Sequence, residues 1–315
     1  MKRIHVYAIL NFFWIVTVVK LQEIEIMNEW LKPSEWYLIS LRLDFKRSPV
    51  LVKSIDVSQL IGRRRNETSV NIAMTVNNLN GFQLNGSNLS PMLKNVRPDV
   101  AVRLFLSNIY FKLQDINGNE MNDCNRIVEN FFNNQTIAVN DLTNHFVGLF
   151  SFSIDSMLFM DSFVAKSKLC PLLFNGAQIK SFYIVNMVNC SLRRRTIEFS
   201  SLKETFKFGK EIIESNANIN YLYLTDFYWI DLNHDLLNRY AFRNTYGLEI
   251  QGALSGIHET VFRNFQKLTV ISMHLDNVRE LFHSTTNKWM ASLNVGKKLT
   301  SMFSSLNIDF YDTLD

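Results

Sequence analysis

Glycine, proline and cysteine are all scarce in this sequence. Its 315 residues include 11 glycines, 5 prolines and 3 cysteines. Collagen-like and low-complexity chains need far more glycine or proline, so both classes are excluded. A small secreted domain would need a dense set of disulfide bonds, whereas a chain with a large apolar core does not. Because 47% of the residues are hydrophobic, we expect one large or two ordinary packed domains.

Strong charge and the common catalytic motifs are also missing. The formal net charge is +4, which is too small to indicate nucleic acid or a membrane surface as a partner. The sequence contains no glycine-rich phosphate loop, HExxH, CxxC or GxSxG motif. Those motifs mark nucleotide, zinc, redox and serine-hydrolase sites. We therefore expect a protein without catalytic activity, metal or cofactor.

Two histidine-containing segments come closest to a catalytic or metal site. His234 lies between Asp231 and Asp235 in DLNHD, and His258 precedes Glu259 in GIHET. Imidazole and carboxylate groups can act as acid, base or metal ligand. We interpret the first segment as a solvated polar turn and the second as a turn between repeats. A secreted hydrolase, with an acidic and histidine site assembled in space, is the alternative.

Residues 1–22 have the features of a secretory signal. Lys2 and Arg3 precede an apolar run from Val6 to Val19. As a helix this run is roughly 21 Å long, short of the ~30 Å hydrocarbon core of a bilayer. We therefore favour a cleaved signal over a membrane anchor, with a buried helix as the third possibility. No second run of 18 apolar residues follows, so we expect no further membrane span and a secreted or cell-surface location.

Asn-x-Ser/Thr sequons support this location. They begin at Asn66, Asn85, Asn88 and Asn134, and a weaker one at Asn189 has a cysteine at its middle position. Glycosylation needs an exposed amide in a secreted chain. We expect glycans at the first four, above all at the two in the turn-rich stretch 77–90.

The three cysteines allow one disulfide bond and one leftover thiol. They are Cys124, Cys170 and Cys190. We favour Cys124–Cys170, because this bond would tie a polar loop to the body of the protein. Cys170–Cys190 is the alternative, and three buried reduced thiols would fit an intracellular chain.

Short runs rich in β-branched and aromatic residues recur along the chain and predict strands. Segments of roughly 15–40 residues separate them, and those at 200–215 and 281–294 are typical of irregular structure or short helix. Alternation of this kind predicts an α/β fold with a parallel sheet or a solenoid. The predicted strands span residues 38–45, 69–76, 101–111, 146–154, 179–188, 219–230, 246–252 and 268–275.

A repeat pattern favours the solenoid. The spacing I-x4-F-x2-L-x2-L-x2-L-x-L-x2-N-x-L is matched by Ile257, Phe262, Phe265, Leu268, Ile271, Met273, Asp276 and Val278. In this pattern the L-x-L pair points inward from a strand, and the asparagine bonds to the backbone of the turn; here Asp276 takes its place. The equivalent pairs, spaced by 46, 32, 40, 26 and 23 residues, are Leu104/Leu106, Phe150/Phe152, Phe182/Ile184, Leu222/Leu224, Leu248/Ile250 and Ile271/Met273.

The C-terminal half resembles the degenerate leucine-rich-repeat ectodomains of secreted and cell-surface animal proteins. The phrases CPLLF at 170–174 and NKWMASLN at 287–294 are similar to an uncharacterised invertebrate family of this type. The resemblance implies a curved solenoid with a parallel sheet on its concave face and an irregular or helical convex side. It also implies binding of extracellular proteins or glycans. Many such proteins continue into an anchor or further modules, so this chain is either secreted or a fragment.

Stacked repeats bury the apolar face that one repeat cannot bury alone, and we expect the many phenylalanines to form an aromatic spine. We predict partner contacts by Tyr221, Tyr223 and Phe227, although alternation turns only every second strand residue outward.

A structural or adhesive module without a single ligand is a third interpretation of the function. The expected divisions are a signal peptide at 1–22, a degenerate repeat region or separate β-rich domain at 23–178, a repeat region at 179–300 and a tail at 301–315.

Overall fold

A nine-stranded, mostly parallel β-sheet dominates the computed structural model of the protein. The strands are β1 (Glu23–Trp30), β2 (Tyr37–Asp44), β3 (Val70–Asn77), β4 (Val100–Ser107), β5 (Ser153–Met160), β6 (Gln178–Val185), β7 (Asn218–Leu232), β8 (Gly247–Ile257) and β9 (Val270–Leu275). Their order in the sheet is their order in the chain. β1 and β2 are antiparallel, and every later neighbour is parallel. The structure describes residues 23–30, 37–44, 50–51, 55–57, 70–77, 82–83, 91–97, 100–107, 148–160, 169–185, 198–199, 216–284 and 288–293.

Short helices and minor strand pairs lie in the connections between strands. The helices are α1 (Arg239–Phe242), α2 (Val278–Ser284) and α3 (Lys288–Leu293), with 3-10 turns at Pro171–Phe174 and Val261–Asn264. Two parallel pairs join Val50–Leu51 to Phe82–Gln83 and Ile55–Asp56 to Leu93–Lys94. The architecture is thus the expected α/β fold with a mostly parallel sheet. The predicted helical character of 281–294 is confirmed where α2 and α3 lie.

The inward face of the sheet consists of pairs of buried apolar residues aligned across neighbouring strands. Alternate residues of a strand point to the same face, so each strand contributes two or more residues to this layer. Each pair is at most 2% exposed. From β4 to β9 the pairs in register are Leu104/Leu106, Met157/Phe159, Phe182/Ile184, Leu222/Leu224, Leu248/Ile250 and Ile271/Met273.

The predicted strand at 146–154 is wrong. Phe150 and Phe152 are buried, but they belong to the turn before β5, and Met157 and Phe159 occupy the strand positions. Gly148 explains the turn, because a Cβ there would lie 2.7 Å from the backbone oxygen of Leu173. The segment instead bonds to the neighbouring connection, with the Phe150 N–H donating to the Leu173 carbonyl at 3.0 Å.

Backbone hydrogen bonds also join successive connections on the far side of the core. The Leu169 N–H donates to the Glu198 carbonyl, and the Phe199 N–H donates to the Asp235 carbonyl, both at 2.7 Å. Leu169 and Phe199 form a parallel bridge. The connections therefore satisfy one another's backbone groups as the strands do, which buried backbone requires.

Phenylalanines form a continuous aromatic layer between the sheet and these connections, as the sequence predicted. Six buried rings lie within 5.1–6.4 Å of a neighbour, centroid to centroid. Such pairs add to the free energy gained from burial alone. The rings belong to Phe150, Phe159, Phe174, Phe182, Phe199 and Phe242.

The side chain after β9 that bonds to backbone groups is that of Asn277, which contacts β8, whereas the repeat alignment placed Asp276 at this position. β9 extends to Leu275, which is buried, so the next inward position is Asn277 while Asp276 is exposed. The Asn277 Oδ1 accepts from the Leu254 N–H at 3.0 Å, and its Nδ2 donates to the Leu254 carbonyl at 2.8 Å. Asparagine can do both, and an ionised aspartate cannot donate.

The sheet continues across the boundary that the sequence analysis drew at 178/179. Gln178 and Ile179 are adjacent residues of β6, and they pair with β5 on one side and β7 on the other. Strands from both sides of the boundary therefore form one sheet. In the part of the chain that the structure describes, no helix is long and apolar enough to cross a membrane.

Candidate functional site

Four tyrosines form a cluster on the solvent face of the sheet, and we call Tyr183, Tyr221, Tyr223 and Tyr246 the tyrosine cluster. Tyr183 and Tyr223 are in register on β6 and β7, and their rings stack with centroids 4.4 Å apart and planes 9° apart. Tyr221 lies 6.4 Å from Tyr223 and meets Tyr246 edge-on at 5.7 Å. Tyr221 is 37% exposed. The predicted contacts Tyr221 and Tyr223 thus share one surface.

Gly247 determines where the Tyr221 ring lies. A Cβ on Gly247 would sit 2.4 Å from Cδ1 of Tyr221, so the ring lies directly over the backbone at the start of β8. Tyr246 meets the same ring edge-on. The ring is therefore held in place before any partner binds, which lowers the entropy cost of binding.

The Tyr223 hydroxyl stays protonated over a wide pH range. Burial raises its pKa above the usual value, and the nearby Tyr183 hydroxyl and Glu249 carboxylate raise it further. A neutral phenol both donates and accepts hydrogen bonds. Tyr223 therefore offers a neutral hydroxyl group on the solvent face of the sheet.

The prediction for Phe227 is wrong, because its ring is only 3% exposed and belongs to the core. Regular alternation from Tyr223 would place Phe227 outward. Asp226 instead has a φ of +59°, and the register between β7 and β8 shifts between Leu224 and Phe227. This bulge adds a residue to β7 and reverses the face on which Phe227 lies.

The same bulge presents an aromatic pair that sequence reasoning missed. Tyr228 is 55% exposed, and its ring meets Trp229 edge-on at 6.2 Å. Trp229 has a φ of +54°, which costs free energy in a residue other than glycine. No pattern in the sequence signals it, since tyrosine and tryptophan are ordinary strand residues.

A polar pocket of about 370 Å³ lies on the sheet at the amino-terminal ends of β4 to β7. Its size is within the range of small-molecule sites. The residue after Asn220 is Tyr221, so the pocket adjoins the tyrosine cluster. The pocket is lined by Val100, Ala101, Ser153, Ile154, Asp155, Gln178, Ile179, Lys180, Asn218 and Asn220.

Opposite charges and amides are paired within the pocket. The Lys180 Nζ lies 3.4 Å from one oxygen of Asp155, and the Arg103 Nε lies 3.9 Å from the other. The Asn218 amide donates to the Gln178 side-chain oxygen at 3.1 Å. The carboxylate is therefore balanced, and the lining offers both donors and acceptors.

The two histidine segments meet where β7 and β8 end. The His234 and His258 rings are 4.8 Å apart, and the Thr260 hydroxyl lies 2.9 Å from Nε2 of His234 and 3.1 Å from Nδ1 of His258. The Thr260 N–H also donates to that Nδ1 at 3.3 Å. The backbone and side chain of Thr260 thus link the two imidazole rings.

This arrangement keeps His234 neutral. Burial lowers its pKa, and the neighbouring His258 lowers it further, while Asp235 opposes the shift. Nδ1 of His234 is buried and has no hydrogen-bond partner in the described structure, so adding a proton there would bury an unpaired N–H. Among the described residues no three His, Cys, Asp or Glu side chains converge as a metal site would require.

Cys170 is fully buried at the start of the Pro171–Phe174 turn and is disulfide-bonded. Cys124 and Cys190 lie outside the described residues, so the pairing of Cys170 with Cys124 stays a prediction. The signal-like residues 1–22 also lie outside them. So do the predicted glycosylation sites Asn66, Asn85, Asn88 and Asn134.

Comparison of the chain with protein-family models, with curated proteins and with solved structures gives no match. The tyrosine cluster, the polar pocket and the histidine pair are therefore the features from which a function can be inferred.

Proposed function

We propose that the chain is a leucine-rich-repeat-like solenoid that recognises an extracellular protein or glycan through the solvent face of its parallel sheet. The repeat architecture is supported by strands that follow chain order, by buried pairs in register and by bonded connections. The spacing of 23 residues between Leu248 and Ile271 fits the length of one repeat. The secretory pattern of the N-terminus supports the location.

The tyrosine cluster carries the proposal. Tyrosines are enriched among residues that dominate binding energy, since a rigid ring buries much apolar area and its hydroxyl still bonds. Here four of them lie on one open face, and Tyr221 is fixed over Gly247. A core needs no such residues on its solvent face.

The test uses the full chain secreted from animal cells. We expect it in the medium, with a loss of mass on glycosidase digestion, and we expect fluorescently labelled protein to bind animal cells. Tyr221→Ala and Tyr223→Ala should each weaken this binding about tenfold or more. Tyr228→Ala is the matched control, an exposed tyrosine of the same strand outside the cluster, and should bind as the parent does. An unglycosylated protein retained in the cytosol, or equal binding by all variants, would overturn the proposal.

The histidine pair supports the second candidate, a hydrolase. In enzymes with an activated nucleophile, a hydroxyl group lies within hydrogen-bond distance of an imidazole that can accept its proton. Thr260 and His258 have this arrangement. Thr260→Val removes the hydroxyl and keeps the shape. If the secreted protein hydrolyses p-nitrophenyl acetate, and this variant loses the activity, the hydrolase is favoured.

A further inference from the structure

The polar pocket at the amino-terminal ends of β4 to β7 arises from an irregularity that three adjacent strands share. Most strand residues alternate between core and solvent. In β5, β6 and β7, however, two successive residues are outside the core between buried ones. The successive residues are Asp155 and Ser156, Lys180 and Ser181, and Asn220 and Tyr221.

Ser156, Ser181 and Tyr221 pair in register across the three strands, and the residues before them, Asp155, Lys180 and Asn220, all line the pocket. Small serines on β5 and β6 leave room beside Tyr221 on β7. We call the polar pocket, together with the Tyr221 ring that directly follows its lining residue Asn220, the trough.

We propose that this trough binds a neutral saccharide unit of a glycan, with Asp155 and Asn220 bonding to sugar hydroxyls and the Tyr221 ring packing on the sugar's apolar face. The inference rests on the proposed recognition function, because it names the class of ligand. Sugar hydroxyls donate and accept at once. Carboxylate oxygens accept, and side-chain amides both donate and accept, so this lining matches them.

Charge and position disfavour the other classes of ligand. The charged residues that line the pocket are Asp155 and Lys180, which lie 3.4 Å apart, so their charges cancel and the lining has no net charge with which to select a polyanion. A peptide that adds a strand needs a free sheet edge. β5, β6 and β7 are interior strands, paired on both sides.

The Tyr221 ring supplies the remaining feature of a sugar site. It directly follows Asn220, lies over Gly247 and is partly exposed. A ring held in this way gives an apolar platform without losing freedom on binding. Gly247→Ala tests the ring separately, because its Cβ displaces a flexible side chain and leaves the polar lining intact.

The experiment measures binding of maltotetraose, mannotetraose and chitotetraose to the full secreted chain by saturation-transfer NMR and calorimetry, with a heparin tetrasaccharide as the charged comparison. We expect at least one neutral probe to bind. Asp155→Ala and Asn220→Ala should each weaken it about tenfold, the usual effect of losing a hydrogen bond to a charged or well-placed group. Gly247→Ala should weaken it less. Asp231→Ala, an exposed carboxylate at the far end of β7, is the matched control.

Binding by no neutral probe, binding of heparin alone, or affinities unchanged in Asp155→Ala and Asn220→Ala would each overturn the saccharide assignment. The cell-binding assay shows whether only the saccharide assignment fails or the proposed recognition function fails as well. Tyrosine-dependent binding that persists on glycosidase-treated cells would show a protein partner, which contradicts the saccharide and keeps the recognition role.

Discussion

Phe182 and Tyr183 are neighbours on β6, yet they belong to surfaces built on different principles. Phe182 lies in the buried layer and contacts rings from three neighbouring segments of the chain. Tyr183 lies on the solvent face and stacks on Tyr223. On the inward face the space between neighbouring side chains determines which residue fits, because cores are close-packed. On the outward face packing leaves the choice open, and the tyrosine cluster and polar trough there are the basis of the proposed recognition.

The largest expected effect comes from that pair of neighbours. Phe182→Ala should lower the free energy of unfolding by about 3–5 kcal/mol, because it leaves a cavity in the aromatic layer. Tyr183→Ala should lower it by about 0.5–1.5 kcal/mol, the value of one ring stack. Urea unfolding followed by circular dichroism measures both. Equal losses would show that the two faces do not differ as described.

Two glycines of β8 sharpen the comparison. Gly252 has a φ of +121°, and a Cβ there would lie 2.1 Å from the Phe227 carbonyl oxygen. Gly252→Ala should cost about 1–3 kcal/mol from backbone strain alone. Gly247→Ala meets only side-chain atoms of Tyr221, which can yield by a change of rotamer without moving the backbone, so we expect a loss below about 1 kcal/mol. The same denaturation assay would contradict this if Gly247→Ala were the more damaging change.

Asn277 and Asp276 are neighbouring polar residues, of which the first is buried and the second is exposed. Replacing each in turn compares the two faces. Asn277→Ala leaves the Leu254 N–H and carbonyl without their side-chain partner and should cost about 1–3 kcal/mol. Asp276→Ala, at an exposed position, should change stability by about 0.5 kcal/mol or less. Thermal unfolding by calorimetry compares the two. A larger effect at Asp276 would restore the original repeat alignment.

The smallest effect is a pH dependence from the histidine pair. Because the pKa of His234 is lowered in the folded state, the unfolded chain binds the proton more tightly. The contribution to stability is therefore present above a pH of about 6.5 and is lost as the pH falls through the folded pKa. His234→Gln should flatten the plot of unfolding free energy against pH in that window. An unchanged slope would show that His234 is not the source of the pH dependence. We expect the effect to be small because His234 is partly exposed.

The strands from β7 to β9 were predictable because the apolar pairs of successive strands follow each other at short and similar intervals of 26 and 23 residues. The pairs at Leu222/Leu224, Leu248/Ile250 and Ile271/Met273 lie in register as expected. β5 was missed for two physical reasons. The buried turn before it is as apolar as a strand, and Asp155 and Ser156 interrupt the alternation by which a strand is recognised.

The candidate sites were harder to predict because they consist of residues that lie side by side only once neighbouring strands have paired in a particular register. The sequence offers tyrosines in a strand-like run, but it gives no sign of the bulge at Asp226 that turns Phe227 inward. His234 and His258 are distant in sequence, yet each follows the end of one of two adjacent parallel strands. A search for polar residues at equivalent positions after successive strands would have paired them.

The first strand of the sheet bears on self-association. β1 is the edge strand and runs antiparallel to its neighbour, so one side of it has backbone groups that no strand of the described sheet bonds. Such an edge is a template on which another chain can add a strand and begin a fibre. The sequence of β1 contains Glu23, Glu25 and Glu29 in eight residues, and charged residues in an edge strand disfavour the addition of another strand. We therefore expect the β1 edge to resist self-association.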